Sequence, residues 1–152
     1  MFKHILIATD GSELADRAVA QGLELAKVLG ARVTAVTVTE PWTAVVTGEA
    51  ALGFPVDEYN KSAAINAAHI LSAVTERAKK LDLSCATMHI KDQFPAEGII
   101  AASKTHGCEL IVMASHGRRG LAKLFLGSQA SRVLTLSAVP VLVCRWLLIR
   151  EA

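Results

Sequence analysis

The feature that most constrains this chain is an alternation. Five short runs of buried-strand character, at residues 5–8, 32–39, 84–90, 110–114 and 138–144, are each stopped by glycine, proline or a polar turn. Between them lie four longer stretches whose apolar residues recur every three or four positions. Ala15, Ala18, Val19, Gly22, Leu23, Ala26 and Leu29 mark the first stripe, and Ala63, Ala67, Ile70, Leu71, Val74, Ala78 and Leu81 mark the second, within 58–81. That spacing puts the apolar residues of each stretch on one face of a helix. A third helix starts at Pro95 and stops at Gly107, and a fourth covers 128–137 with Ala130, Val133 and Leu134 turned inward. Strand and helix alternating as βαβαβαβαβ demand parallel strands joined by right-handed crossovers, an α/β fold.

Local chemistry refines the outline. Thr9-Asp10-Gly11-Ser12 supplies an N-cap for the first helix at Asp10 or Ser12, and Gly30 suits its left-handed terminus. The third run alternates, with Ala86, Met88 and Ile90 on one side and Cys85, Thr87 and His89 on the other, as expected of a half-exposed or edge strand. The last run is apolar without alternation, which predicts burial on both faces. Residues 41–57 form a connection longer than the usual ~4–6 residues. Its aromatic content (Trp42, Phe54, with Tyr59 just beyond) fits a lid or a partner surface, and a merely mobile connection stays open beside that.

Composition excludes several classes. The 152 residues suit one domain spanning 1–152, and 52% apolar with 20% charged residues can build a core. A net charge of +2 is too small to make nucleic acid or an anionic membrane the main partner. No apolar run approaches the ~18 residues of a membrane span, and no secretory h-region precedes the first strand, so a cytoplasmic protein is expected. Cys85, Cys108 and Cys144 show no C-x-x-C spacing and read as buried, reduced thiols; the five histidines do not cluster, so no metal site is expected.

The chemistry concentrates in Leu110-Ile111-Val112-Met113-Ala114-Ser115-His116-Gly117-Arg118-Arg119-Gly120, an apolar segment at 121–126, and Gly127-Ser128. A strand, a loop with glycines and arginines, and a helix start describe an anion site. Glycines admit close backbone approach, a helix start supplies unpaired N–H groups, and arginine forks suit phosphate. By themselves these residues equally permit an ordinary connection with a basic, solvated tip. Thr9-Asp10 and Ala114-Ser115-His116 are the polar strand ends, and open parallel sheets bind ligands at such ends near a topological switch point.

The opening Lys3-His4-Ile5-Leu6-Ile7-Ala8-Thr9-Asp10-Gly11-Ser12, the strand at 110–113, the close Val139-Pro140-Val141-Leu142-Val143, and Gly117 followed after nine residues by Gly127-Ser128 together resemble the universal stress protein family. The resemblance covers essentially the whole chain, and its most specific part is the nucleotide loop G-x2-G-x9-G-[ST]. It implies an adenine nucleotide alpha hydrolase-like, Rossmann-like fold: an open five-stranded parallel sheet in the order 3-2-1-4-5 with four helices on both faces. It also implies ATP, with magnesium or manganese carried on the phosphates, between the C-terminal ends of strands 1 and 4. Val38 would offer backbone groups to adenine. Asp10, with Ala8 and Thr9 beside it in the site, would lie near ribose and phosphates. Met113 and Ala114 would line the sugar side, and His116, Gly117, Gly127, Ser128 and Gln129 would present donors to phosphates. Arg118 and Arg119 lie inside the nine-residue stretch, so their contact is inferred from charge alone. Each has a plainer alternative: Asp10 or Ser128 as a helix cap, His116 as a solvated loop residue, Val38 and Met113 as core.

One position departs from the pattern. Ala114 stands where the family's first glycine falls. If that backbone needs φ > 0, alanine costs about 1 kcal/mol; if it is the last extended residue of the strand, alanine costs little.

Three functional classes follow. The first is an ATP-binding regulatory protein of the stress response. The second is an enzyme, opposed by the lack of a G-x-x-x-x-G-K-[ST] loop, leaving at most slow ATP hydrolysis with Asp10 or His116 positioning water. The third is a partner-binding dimer that does not use nucleotide, which Ala114 favours. A homodimer is expected through residues 139–144, an apolar edge strand that would pair antiparallel with its copy, helped by the tail Arg145-Trp146-Leu147-Leu148-Ile149. The alternative is a monomer whose tail folds back over its own edge.

Overall fold

The first strand, β1 (His4–Ala8), is buried at every residue and forms the centre of the sheet in a computed structural model that describes residues 1–48, 52–53, 55–117 and 125–146. It is followed by α1 (Glu13–Leu29), β2 (Arg32–Thr39), α2 (Trp42–Val45), α3 (Val56–Lys80), β3 (Cys85–Lys91), α4 (Pro95–Thr105), β4 (Leu110–Ala114), α5 (Ser128–Leu136) and β5 (Val141–Cys144). All pairings are parallel and the strand order is 3-2-1-4-5, as the resemblance implies. Ile5 stands opposite Val33 on one side and Leu110 on the other, so β1 joins the first half of the chain to the second.

Helices cover both faces. Ala18, Val19 and Leu23 of α1 and Leu71, Val74 and Ala78 of α3 pack on Ile5, Ile7, Val33, Ala35, Leu110 and Val112. Ile99 and Ala102 of α4 and Ala130 and Val133 of α5 pack on Leu6, Val36, Ile111 and Met113 across the sheet. Gly22 lets α1 lie close, because a Cβ there would stand 2.8 Å from Ile7 Cδ1. Ser12 caps α1 by accepting from the Ala15 N–H at 3.3 Å, and Gly30 closes it at φ 62°. Asp10 instead accepts from the Ser12 N–H at 2.9 Å and braces the turn.

Four expectations need correction. The described residues hold five helices, because Trp42–Val45 wind one turn inside the anticipated loop, closed by Val46 N–H to Trp42 C=O at 2.9 Å. Four residues are too few to show a helical period. β5 begins at Val141 rather than at 138, because the Ser137 hydroxyl and Val139 backbone bond each other in a turn. Pro140 still offers its carbonyl to the Ile111 N–H. Leu134 is 45% exposed rather than inward, and Leu142 of β5 is 40% exposed rather than buried. Both lie at the β5 end of the sheet, where one chain has no further strand to cover them. β3 behaves as its alternation predicts: it is the opposite edge, with Met88 and Ile90 toward the α4 side and Cys85 toward α3.

All three cysteines are free thiols, and burial pushes them up, Cys108 to about 11. Among the described residues no helix is long and apolar enough to cross a membrane.

Candidate functional site

A cavity of about 640 Å³ opens over the C-terminal ends of the strands. Because α1 and α3 cover one face of the sheet and α4 and α5 the other, the connections leaving β1 and β4 diverge there, the crevice in which open α/β sheets bind ligands.

The end of β1 supplies Ala8, Thr9 and Asp10. Thr9 is fixed by its N–H to the Val36 carbonyl at 2.9 Å, while its hydroxyl accepts from the Gly11 N–H at 3.2 Å. Gly11 takes φ 76°, a turn geometry that favours glycine. Beside Asp10 runs Gly117, where an added Cβ would stand 2.7 Å from Asp10 Oδ2. A bare backbone is therefore what lets the β4 loop pass the carboxylate.

The end of β4 supplies Met113, Ala114, Ser115, His116 and Gly117. The chain then returns to β4: the Gly127 N–H donates to the Ser115 carbonyl at 2.9 Å, and a Cβ on Gly127 would meet that oxygen at 2.7 Å. Gly127 has φ −60°, so the glycine answers a close approach rather than a left-handed backbone. It is also the N-cap of α5 and provides no side-chain cap; Ser128 is the first helical residue, not the cap. The first-turn N–H groups of α5 have no intrahelical acceptors, and they start beside the ends of β1 and β4 with the positive end of the helix dipole.

The neighbouring helix start differs. α4 opens with Pro95, which has no N–H, and the Ala96 N–H is taken by Gln129 Oε1 at 3.0 Å. Glu97 puts a negative charge in the same turn, bonded to Arg132 of α5. α4 is thus satisfied and acidic at its start, whereas α5 is open. Gln129 keeps its amide N–H2 and its backbone N–H for the cavity, but its side-chain oxygen is committed to α4.

Every residue named for the site from sequence lines this cavity except Arg118, which, with Arg119, lies outside the described residues. Ala114 closes β4 in extended conformation, since the described non-glycine residues with positive φ are Asp82 and Asp92. Ala114 packs in the core on the α1 side and is 7% exposed. The glycine departure therefore carries no backbone strain. His116 is held by a 3.1 Å contact between its Nδ1 and the Ser115 hydroxyl.

Sequence reasoning missed a whole wall. Tyr59, Ser62, Ala63, Asn66 and Ile70 of α3 line the side opposite α4, and Tyr59 donates its hydroxyl to the Glu40 carbonyl at 2.8 Å, tying α3 to the end of β2. The usable signal was the size change along the α3 stripe, alanines in its first half and Leu71 and Val74 in its second. Among the described residues no group of three or more His, Cys, Asp or Glu is placed to hold a metal ion.

Comparison with known proteins agrees with this architecture. The Universal stress protein family profile matches residues 1–145. Universal stress protein YxiE of Bacillus subtilis is 31% identical over 151 residues, covering 95% of this chain and 100% of that protein. A Thermus aquaticus universal stress protein is 33% identical over 153 residues, with the same shares. In structure the chain is similar to MJ0577 of Methanocaldococcus jannaschii, with a TM-score of 0.81 at 23% identity, covering 97% of this chain and 98% of that one. With the sequence profile, the strand order and full-length relatives in agreement, the chain belongs to the universal stress protein family.

Proposed function

We propose that this protein binds ATP between the ends of β1 and β4 and acts as a nucleotide-responsive regulator in the stress response, in the cytoplasm. The observation that carries this reading is the uncapped start of α5, brought against β4 by Gly127 at a point where a side chain would not fit. An open N-terminus beside bare backbone is a phosphate cradle. Ser128, the Gln129 backbone and Gly117 would hold phosphate oxygens, and the Asp10 carboxylate would stand near the ribose. Magnesium or manganese would arrive bridging the phosphates, as hard cations with oxygen ligands do. Further support comes from solved proteins of this fold, a universal stress protein in complex with cAMP and the Archaeoglobus fulgidus protein in complex with dAMP. With Ala114 extended, the feature that favoured a protein indifferent to nucleotide loses its force.

Titration calorimetry with ATP and magnesium, together with a melting curve, tests the reading. A ligand that binds only the folded state adds ~2.7 kcal/mol at a hundred times its Kd, so the melting temperature should rise. No heat and no melting shift at millimolar ATP would overturn it.

The same reading includes a homodimer through β5. The edge strand and Leu134, Leu136 and Leu142 leave an apolar strip half-exposed in one chain, and antiparallel pairing of two β5 strands would cover it. Trp146 does not join that strip: it packs on the core beside α1, under the Arg17 guanidinium 5.9 Å from its ring centroid. The rest of the apolar tail, 147–149, lies outside the described residues.

A further inference from the structure

α3 outreaches the sheet it covers. Its 25 residues span ~38 Å at the helical rise, whereas β2, with 8, spans ~26 Å. The second half of α3 packs on the strands through Leu71, Val74 and Ala78. The first half overhangs the strand ends, and there the stripe shrinks to Ala63 and Ala67 and becomes a cavity wall. Small residues at those positions make room; larger ones would close it.

Three polar side chains stand on this wall, and they are not equivalent. The Tyr59 hydroxyl is committed to the Glu40 carbonyl. Ser62 has a single hydroxyl. Asn66 carries a planar amide, donor at its nitrogen and acceptor at its oxygen, beside Ala63, Ala67 and Ile70. Asparagine is a weak helix former, so helix stability does not explain it there. Among the described residues its amide has no hydrogen-bond partner, which leaves both halves available to the cavity.

We propose that Asn66 reads the base of the bound nucleotide and selects adenine, an inference that rests on the nucleotide reading above. With phosphates at the start of α5 on the β4 side, the rest of the ligand extends toward β2 and α3. Ala63, Ala67 and Ile70 there offer apolar surface to a flat ring, and Val38 lines the same end of the cavity. The Asn66 amide meets the ring edge. By its N7 edge adenine presents the 6-amino donor next to the N7 acceptor, which one amide satisfies in full. The N7/O6 edge of guanine presents two acceptors, which one amide cannot satisfy together. A purine without the 6-amino group forfeits one of the two bonds, and guanine presented by its N7 edge meets the amide with one mismatched group.

The test compares ATP, GTP and purine riboside triphosphate, which is ATP without the 6-amino group, on the wild-type chain and on Asn66→Ala. The wild type should prefer ATP over both others by about tenfold, the discrimination typical of one bidentate amide pair. Asn66→Ala should lose most of its ATP affinity advantage and bind all three nearly alike, with an unchanged melting temperature, since alanine suits an exposed helical position better. Binding of all three with equal affinity by the wild type, or an undiminished preference in Asn66→Ala, would overturn the role of Asn66 while leaving the phosphate cradle standing. Failure of the wild type to bind any of the triphosphates would overturn both readings.

Discussion

At the scale of single residues, the two loop glycines make different demands. A side chain at Gly117 would press on the tip of the Asp10 side chain, which yields by loosening its bond from the Ser12 N–H; one at Gly127 would press on the backbone oxygen of Ser115, which cannot move without shifting the loop. Gly127→Val should therefore abolish ATP heat in calorimetry, whereas Gly117→Ala should weaken binding only as far as Asp10 matters. Retained affinity in Gly127→Val would place the site elsewhere. Ala114→Gly should keep or tighten ATP binding but lower stability by ~1–2 kcal/mol in urea unfolding, from the added chain freedom and the lost buried methyl. His4 provides a pH-dependence at the far end of the sheet. Its Nε2 is bonded to the Thr34 hydroxyl at 2.8 Å, and burial, then the Arg32 charge, holds its imidazole below the usual 6.5, with His106 and Glu109 also nearby. The unfolded chain takes up that proton more readily, so stability is full above 6.5 and falls as pH drops below it. His4→Gln should flatten the decline in urea midpoint between about pH 7 and pH 5, leaving the part owed to His89, lowered by burial and by Lys91. An unchanged slope would exclude His4 as its source.

At the scale of elements, Gln129 links two helices by serving both: it sits in the first turn of α5 and caps α4. Gln129→Ala should cost about 1 kcal/mol of stability by urea unfolding, the usual worth of a side-chain cap. A cost near zero would mean the Ala96 N–H finds water instead. Elements with a strong period were readable to within a residue or two, β2 and β4 to the residue. What escaped had a local cause. The turn α2 is barely one period long, and the apolar start of the last run is bent away by the Ser137 turn. Ser128 suits a cap by its type, the alternative the sequence leaves open; the cap is Gly127, which fits against Ser115. The β1 and β4 walls of the cavity were legible because polar residues interrupt apolar strands at Thr9 and Ser115. The α3 wall was not, because an amphipathic stripe does not announce where the sheet beneath it ends.

At the scale of the whole molecule, Leu134, Leu136 and Leu142 make the β5 margin the face to challenge. Light scattering at micromolar concentration should give the mass of two chains, and Leu142→Asp should give one; a wild-type mass of one chain would remove the dimer. The strand order carries a different consequence. β1 is made before both its neighbours, and one of them, β4, is encoded far along the chain. On the ribosome, which adds ~5–20 residues per second, β1, buried at every residue in the folded chain, must wait for seconds with one edge unpaired. Through that interval the nascent chain is a one-sided template, open to other strands and to chaperones. A fragment ending before β4 should stay in that condition and precipitate. The ligand cavity, needing both β1 and β4, comes into being only as that wait ends.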